Sequence, residues 1–299
     1  MTDITLLDGS IGQELVKRSG DRSTPLWSTA VMIDHPDLVR EVHDAYFTVG
    51  ATVATTNTYA LLRDRLERVG DLVTRLEELT ETALISARKA RDSHGHGRVA
   101  GALGPLGASY RPDLVPPPER AAQMYAEPVG LMKDHIDLFL IETMSSVEQC
   151  EGSLRATLPT GVPVWLGVSV DDHNGALLRS GEPLSDLAPL LSEQRPDAIL
   201  INCSRPEAVS DGLDIIAGFD LPFGAYANGF TQISDGFLED FPTVDALEQR
   251  QDLSPDAYAD FVMNWIAQGA TIVGGCCEIG PDHIAEIARR LTAAGHRIV

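Results

Sequence analysis

Short apolar runs rich in β-branched residues recur along this chain, each followed by a longer stretch of helical spacing, and that alternation restricts it to parallel α/β architectures. The runs are 4–8 (ITLLD), 52–57 (TVATTN), 98–103 (RVAGAL), 138–142 (LFLIE), 164–170 (VWLGVSV), 198–203 (AILINC), 223–228 (FGAYAN) and 271–276 (TIVGGC). Helix candidates lie near 36–49, 61–92, 119–135, 146–157, 184–193, 206–217 and 255–268, with the last near 281–294. Ser254-Pro255 supplies an N-cap before a proline at the first helical position, and Gly280-Pro281 opens the final helix the same way. A length of 299 residues admits one large domain or two smaller ones. The absence of a Pro- or Gly-rich linker and of any break in composition favours one closed (β/α)8 TIM barrel, a single domain over 1–299. Two long irregular stretches, 104–118 and 229–253, follow strands, so in a barrel they are loops of the catalytic face.

With 43% hydrophobic and 22% charged residues, the chain has ordinary globular composition and enough apolar side chains for a sizeable core. Its 44 acidic residues against 23 basic ones leave a net charge of −21, which argues against nucleic acid or an anionic membrane as partner. No segment approaches the roughly 20 consecutive apolar residues of a membrane span, and MTDITLLDGS does not read as a secretory leader. The expectation is a cytoplasmic protein. Four cysteines are too few for a disulfide scaffold, so in a reducing compartment they are free thiols, metal ligands or nucleophiles.

Three of those cysteines fall where a barrel places reactive groups. Cys203 ends the sixth run and Cys276-Cys277 the eighth, so a barrel would bring them to one rim. Three thiolates around Zn2+ with one position open is the layout of a catalytic zinc site. Two other readings stay open on spacing alone: inert buried thiols, or a phosphate cradle at Gly274-Gly275. Further polar residues end other strands: Asp8 and Gly9, Thr56-Asn57, Glu142-Thr143, Asn202 and Asn228. Carboxylates Asp8 and Glu142 at a barrel mouth would suit an ammonium group, although either could instead cap the following helix.

The segments LLDGSIGQEL, PLWSTAVMIDHPDLVREVHDAYFTVGATVATTNTY, GALGPLG, DLFLIETMSSVEQC, INCSRPEAV and VGGCCEIGPDHIAEI together resemble, in order, the motifs of the zinc-dependent homocysteine S-methyltransferases. The likeness runs from residue 6 to about 290, and that family's fold is a (β/α)8 barrel. The resemblance implies zinc ligands Cys203, Cys276 and Cys277, which would also be the catalytic residues. It implies that Glu142 and Asp8 receive the homocysteine amino group, with the backbone at Gly9 and Ser10 near its carboxylate and Asn228 as a further substrate contact. The family's seventh strand usually ends in a Tyr-Pro-Asn-like sequence, whereas this chain reads Tyr226-Ala227-Asn228. Cys150, on the helix after the fourth strand, reads as a packing residue.

The implied reaction is methyl transfer from an onium donor to the homocysteine thiol, giving methionine. A free thiol near pKa 8.5 is only a few per cent thiolate at neutral pH, and metal coordination removes that limit. The PLWS segment at 25–28 resembles the S-methylmethionine-using members, and betaine is the alternative donor. Trp27, Tyr59, Tyr110 and Phe230 are candidate aromatic contacts for such a cation. Selenocysteine or another thiol is the alternative acceptor, and a zinc- or redox-sensing barrel the non-enzymatic reading. A folate donor acting through cobalamin would need further domains for which this length leaves no room.

Overall fold

The structure, a computed structural model, describes residues 2–20, 28–238 and 246–299. Its strands are β1 (Asp3–Leu6), β2 (Val53–Thr55), β3 (Arg98–Leu103), β4 (Leu138–Met144), β5 (Val164–Val168), β6 (Ala198–Asn202), β7 (Phe223–Tyr226), β8 (Ile272–Val273) and β9 (Arg297–Ile298). The helices are α1 (Ile11–Ser19), α2 (Ser28–Asp34), α3 (Pro36–Thr48), α4 (Arg63–Leu66), α5 (Leu76–His94), α6 (Pro118–Met132), α7 (Val147–Thr157), α8 (Leu187–Glu193), α9 (Pro206–Ile216), α10 (Pro255–Ala267) and α11 (Pro281–Ala293). No helix among the described residues is long and apolar enough to cross a membrane.

All strand pairings are parallel, in the order β2-β3-β4-β5-β6-β7-β8-β1-β9. The ring closes where Leu7 bridges Val53 in parallel and Thr52 N–H donates to Leu6 O at 2.7 Å. The result is the expected (β/α)8 barrel. Alternation along each strand sorts two cores. Leu138 and Leu140 of β4, Trp165 of β5, Ala198 and Leu200 of β6, and Tyr226 of β7 fill the interior. Their neighbours Phe139, Ile141, Leu166, Ile199 and Ile201 face the helices instead. The interior is a packed plug, closed near the strand starts by the Arg98 guanidinium 4.9 Å from the centre of the Trp165 ring.

Four features differ from the sequence expectation. The stretch 61–92 is not one helix: Gly70, at φ 63°, interrupts it, leaving α4, a 3-10 turn over Gly70–Arg75 and α5. The first unit carries α1 and α2 ahead of α3; α1 has only 9 residues, and its Ser10 N-cap makes no side-chain cap bond. A two-residue β9 pairs with β1 beside the closure, where Thr52 Oγ1 donates to Val299 O at 2.7 Å. Finally, the β5–α8 connection folds into a small antiparallel excursion through the bridges Val170–Leu178 and Leu177–Pro183. This is a third substantial loop at the catalytic face.

Candidate active site

The inward parity that places leucines in the barrel core continues upward to polar residues. Glu142 follows Leu138 and Leu140, Asn202 follows Ala198 and Leu200, and Thr55 follows Val53. Above them lies a cavity of about 100 Å³ lined by residues including Asp8, Ser10, Gln13, Thr55, Tyr59, Tyr110, Glu142, Thr143, Cys203, Tyr226, Cys276 and Cys277.

The three rim cysteines meet, all with sulfurs within 4.8 Å of one another. Cys203 Sγ stands 2.6 Å from Cys276 Sγ and 3.7 Å from Cys277 Sγ, and the last two are 4.0 Å apart. A tetrahedral centre with metal–sulfur bonds of about 2.3 Å has S···S edges of about 3.8 Å. Two edges match, and the third would part by about 1 Å, so the donor set fits a thiophilic metal. Hydrogen bonds from Cys276 and Cys277 hold the Cys203 thiol well below its usual range. Over the sulfurs lies an apolar cover of Tyr110, Phe230, Phe237 and Leu247. Behind Tyr110, Arg179 stacks at 4.8 Å from the ring centre while paired with the buried Asp172 at 2.6 Å.

Backbone bonds fix the cysteine pair. Cys276 N–H donates to Ala227 O at 2.9 Å, and Gly275 N–H to Asp8 O at 3.0 Å. The Tyr258 hydroxyl of α10 donates to Gly274 O at 2.8 Å and accepts from Ala227 N–H at 3.0 Å, joining the ends of β7 and β8. A Cβ at Gly274 would fall 2.5 Å from Leu7 Cβ, and one at Gly275 2.2 Å from Ile279 Cγ2. Close packing thus accounts for both glycines. Among the described residues no Lys, Arg or His lines the cavity, which disfavours a phosphate cradle.

The two carboxylates on the opposite wall differ in their restraint. Asp8 accepts from Thr55 N–H at 2.6 Å and from Thr55 Oγ1 at 2.7 Å. Burial nevertheless raises its pKa to about 7, against those two bonds. Glu142 is raised further, to about 8, by burial and then by the nearby Cys203 and Asp8, with Tyr226 opposing. Two buried acids without a cationic neighbour among the described residues of the cavity suit a positive ligand. Gly9 admits no side chain, because a Cβ there would lie 2.1 Å from Ile279 O. Just beyond it, the first turn of α1 faces the cavity through Ile11, Gly12 and Gln13. Backbone N–H groups at a helix start favour an anion.

Sequence reasoning missed the latch that holds this turn. Gln13 Oε1 accepts from Ser10 Oγ and from Glu278 N–H, both at 2.7 Å, while its Nε2 donates to the Glu278 carboxylate. Tyr226 and Thr55 were also missed, although strand parity marks both as inward. Asn228 does not line the cavity: it is buried, and its Oδ1 accepts from Phe230 N–H at 3.2 Å, shaping the loop beneath the apolar cover. Of the candidate aromatics, Tyr59 and Tyr110 line the cavity and Phe230 joins the cover, whereas Trp27 and the rest of 25–27 lie outside the described residues. Cys150 is fully buried on α7, apart from the cluster, with its thiol pushed up by burial.

Fold and site together define a (β/α)8 enzyme with a thiol cluster able to hold a metal at its catalytic rim. The comparison with known proteins is specific: the homocysteine S-methyltransferase family model matches residues 5–291, and the chain belongs to that family. It is similar to the homocysteine S-methyltransferase of Escherichia coli, 31% identical with 96% of this chain and 95% of that one covered. Homocysteine S-methyltransferase YbgG of Bacillus subtilis is 24% identical, over 95% of this chain and 93% of the relative. In three dimensions the metallated form of the homocysteine methyltransferase MmuM from Escherichia coli superposes with a TM-score of 0.79 at 28% identity, covering 97% of this chain and 96% of that one.

Proposed function

We propose that this enzyme moves a methyl group from an onium donor, of the S-methylmethionine kind, to the thiol of homocysteine, with zinc held by Cys203, Cys276 and Cys277. The observation that carries the reading is the pairing, across one cavity, of a three-thiol cluster with two buried carboxylates that have no cationic neighbour among the described residues there. Homocysteine presents matching groups: a thiol at one end, and an ammonium and a carboxylate at the other. Zinc, when bound, would keep the acceptor sulfur as thiolate at neutral pH. Glu142 and Asp8 would then bind the ammonium, Asp8 already oriented by Thr55. The first turn of α1, latched by Gln13 and opened by Gly9 and Ser10, would receive the carboxylate. Asn228 would serve by holding the Phe230 loop.

The cover of Tyr110, Phe230 and Phe237 would exclude water from the sulfur. That favours transfer from a sulfonium, because charge is lost as the transition state forms. Tyr59 and Tyr110, which line the cavity and each carry an arginine on one ring face, would be the aromatic contacts for the donor cation. No proton need be supplied to the leaving thioether, which agrees with a cavity containing no histidine among its described residues. The family match over 5–291 supports treating 1–299 as one homocysteine-binding barrel domain.

Incubating zinc-loaded protein with homocysteine and, separately, S-methylmethionine, betaine, dimethylsulfoniopropionate or S-adenosylmethionine, and measuring methionine, tests this. Methionine should form with a sulfonium donor. Turnover with betaine alone would reassign the donor, and turnover with none would overturn the reading.

A further inference from the structure

Thr143 has a φ of 63°, in the left-handed region that a β-branched residue enters only under constraint. The constraint is a two-point clasp from the next strand but one. Thr143 N–H donates to Asn202 Oδ1 at 2.9 Å, and Asn202 Nδ2 donates to Thr143 Oγ1 at 3.2 Å. Asn202 is wholly buried, so neither bond competes with water. Room for the clasp comes from Gly167 of β5, where a Cβ would fall 3.0 Å from Asn202 Oδ1 and 2.7 Å from Ile141 O. The clasped residue directly follows Glu142, at the point where the β4–β5 register shifts between Ile141 and Met144. Without the clasp, Thr143 would relax towards extended backbone and turn the preceding carboxylate. Asn202 in turn directly precedes Cys203, itself at φ 49°, so the end of β6 delivers one sulfur and holds the turn that aims the acid.

We propose that Asn202 is a positioning residue for acceptor specificity: through its clasp on Thr143 it aims Glu142, and so makes the site select α-amino thiols over plain thiols. This rests on the reading that Glu142 receives the ammonium of homocysteine. The clasp also ties the ammonium wall to the thiol wall through consecutive residues of one strand, fixing the distance between the two ends of the acceptor.

The test compares homocysteine with 4-mercaptobutyrate, the same chain without the amine, by calorimetry on zinc-loaded protein, with zinc affinity measured by chelator competition. The parent should prefer homocysteine. Asn202→Leu should weaken homocysteine about tenfold or more, change 4-mercaptobutyrate less than about twofold, and leave zinc affinity unchanged. Adding Thr143→Gly to Asn202→Leu should recover most of the preference, since glycine adopts positive φ without help. If the leucine variant does not fold, Asn202→Ser, too short to span both partners, carries the same comparison. An unchanged preference in the Asn202 variants, equal weakening of both thiols, loss of zinc, or no recovery with Thr143→Gly would overturn the inference. A parent protein without preference would instead overturn the ammonium reading beneath it.

Discussion

On the β6–β8 side of the barrel mouth three sulfurs lie beneath aromatic and aliphatic side chains, whereas on the β1–β4 side two carboxylates lie against a threonine and a tyrosine. The thiol side brings anionic ligands together under an apolar cover, an arrangement that favours a tightly held cation bound through sulfur. On the carboxylate side burial raises Asp8 to about 7 and Glu142 to about 8, so the two acids take on full charge only when a cation sits beside them. One wall is therefore suited to a resident ion and the other to an exchanging ligand, and damage to each should have its own readout.

The largest effect is expected on the thiol side. Cys203→Ser should lower zinc affinity by about 100-fold or more and remove most methyl transfer, as measured by metal content after dialysis against a chelator, since two thiolates do not complete the site. Full occupancy in that variant would break the comparison at its first term. On the opposite wall, Glu142→Gln preserves shape but removes a charge. Loss of one charge-assisted bond, roughly 1.5–3 kcal/mol, should weaken homocysteine about 10- to 150-fold by calorimetry while zinc stays bound. Zinc loss in that variant would mean that the walls are not separable.

A third substitution sharpens the contrast by touching neither wall. His43 on α3 is fully buried, neither ring nitrogen has a hydrogen-bond partner among the described residues, and burial lowers its pKa from 6.5 to about 4. Between those values the unfolded chain takes up a proton that the folded one refuses. Its contribution is therefore complete above pH 6.5 and is lost as pH falls towards 4. Going from pH 7 to pH 5 should cost about 2 kcal/mol of unfolding free energy through this group. His43→Leu should flatten that limb in urea titrations and leave zinc and thiol binding alone. Smallest of all, Cys150→Ala should lower stability by about 2 kcal/mol or less and change neither metal content nor turnover.

The barrel was legible because its strands alternate with helices at regular spacing, and the rule that reactive groups sit at strand ends carried Cys203, Cys276 and Cys277 to one rim. Asp8 and Glu142 were legible for the same reason, being the last residues of apolar runs. What escaped depends on partners far apart in the chain. The Gln13–Glu278 latch spans a separation of 265 residues, and the Asn202–Thr143 clasp one of 59. Neither pair has a local pattern. β9 is two residues long and α1 nine, too short for periodicity to declare itself. Asn228, read as a strand-end ligand, shows what position alone leaves out: its Oδ1 accepts from Phe230 N–H, while its buried Nδ2 has no hydrogen-bond partner among the described residues.

Tyr258 has a consequence for how the molecule opens. β7 and β8 have only four and two residues in regular strand and share two ladder pairs, so their ladder bonds alone would leave this sector weakly tied to the ring. A hydroxyl from α10, fully buried and bonded at once to Gly274 O and Ala227 N–H, stitches that sector to the helix layer. Local opening there must then drag a helix with it, which raises its cost towards that of global unfolding. The amides of Ala227 and Cys276, immediately behind the sulfurs, should accordingly be among the last to exchange with deuterated solvent, and the segment bearing the metal-type ligands should breathe less than its short strands suggest.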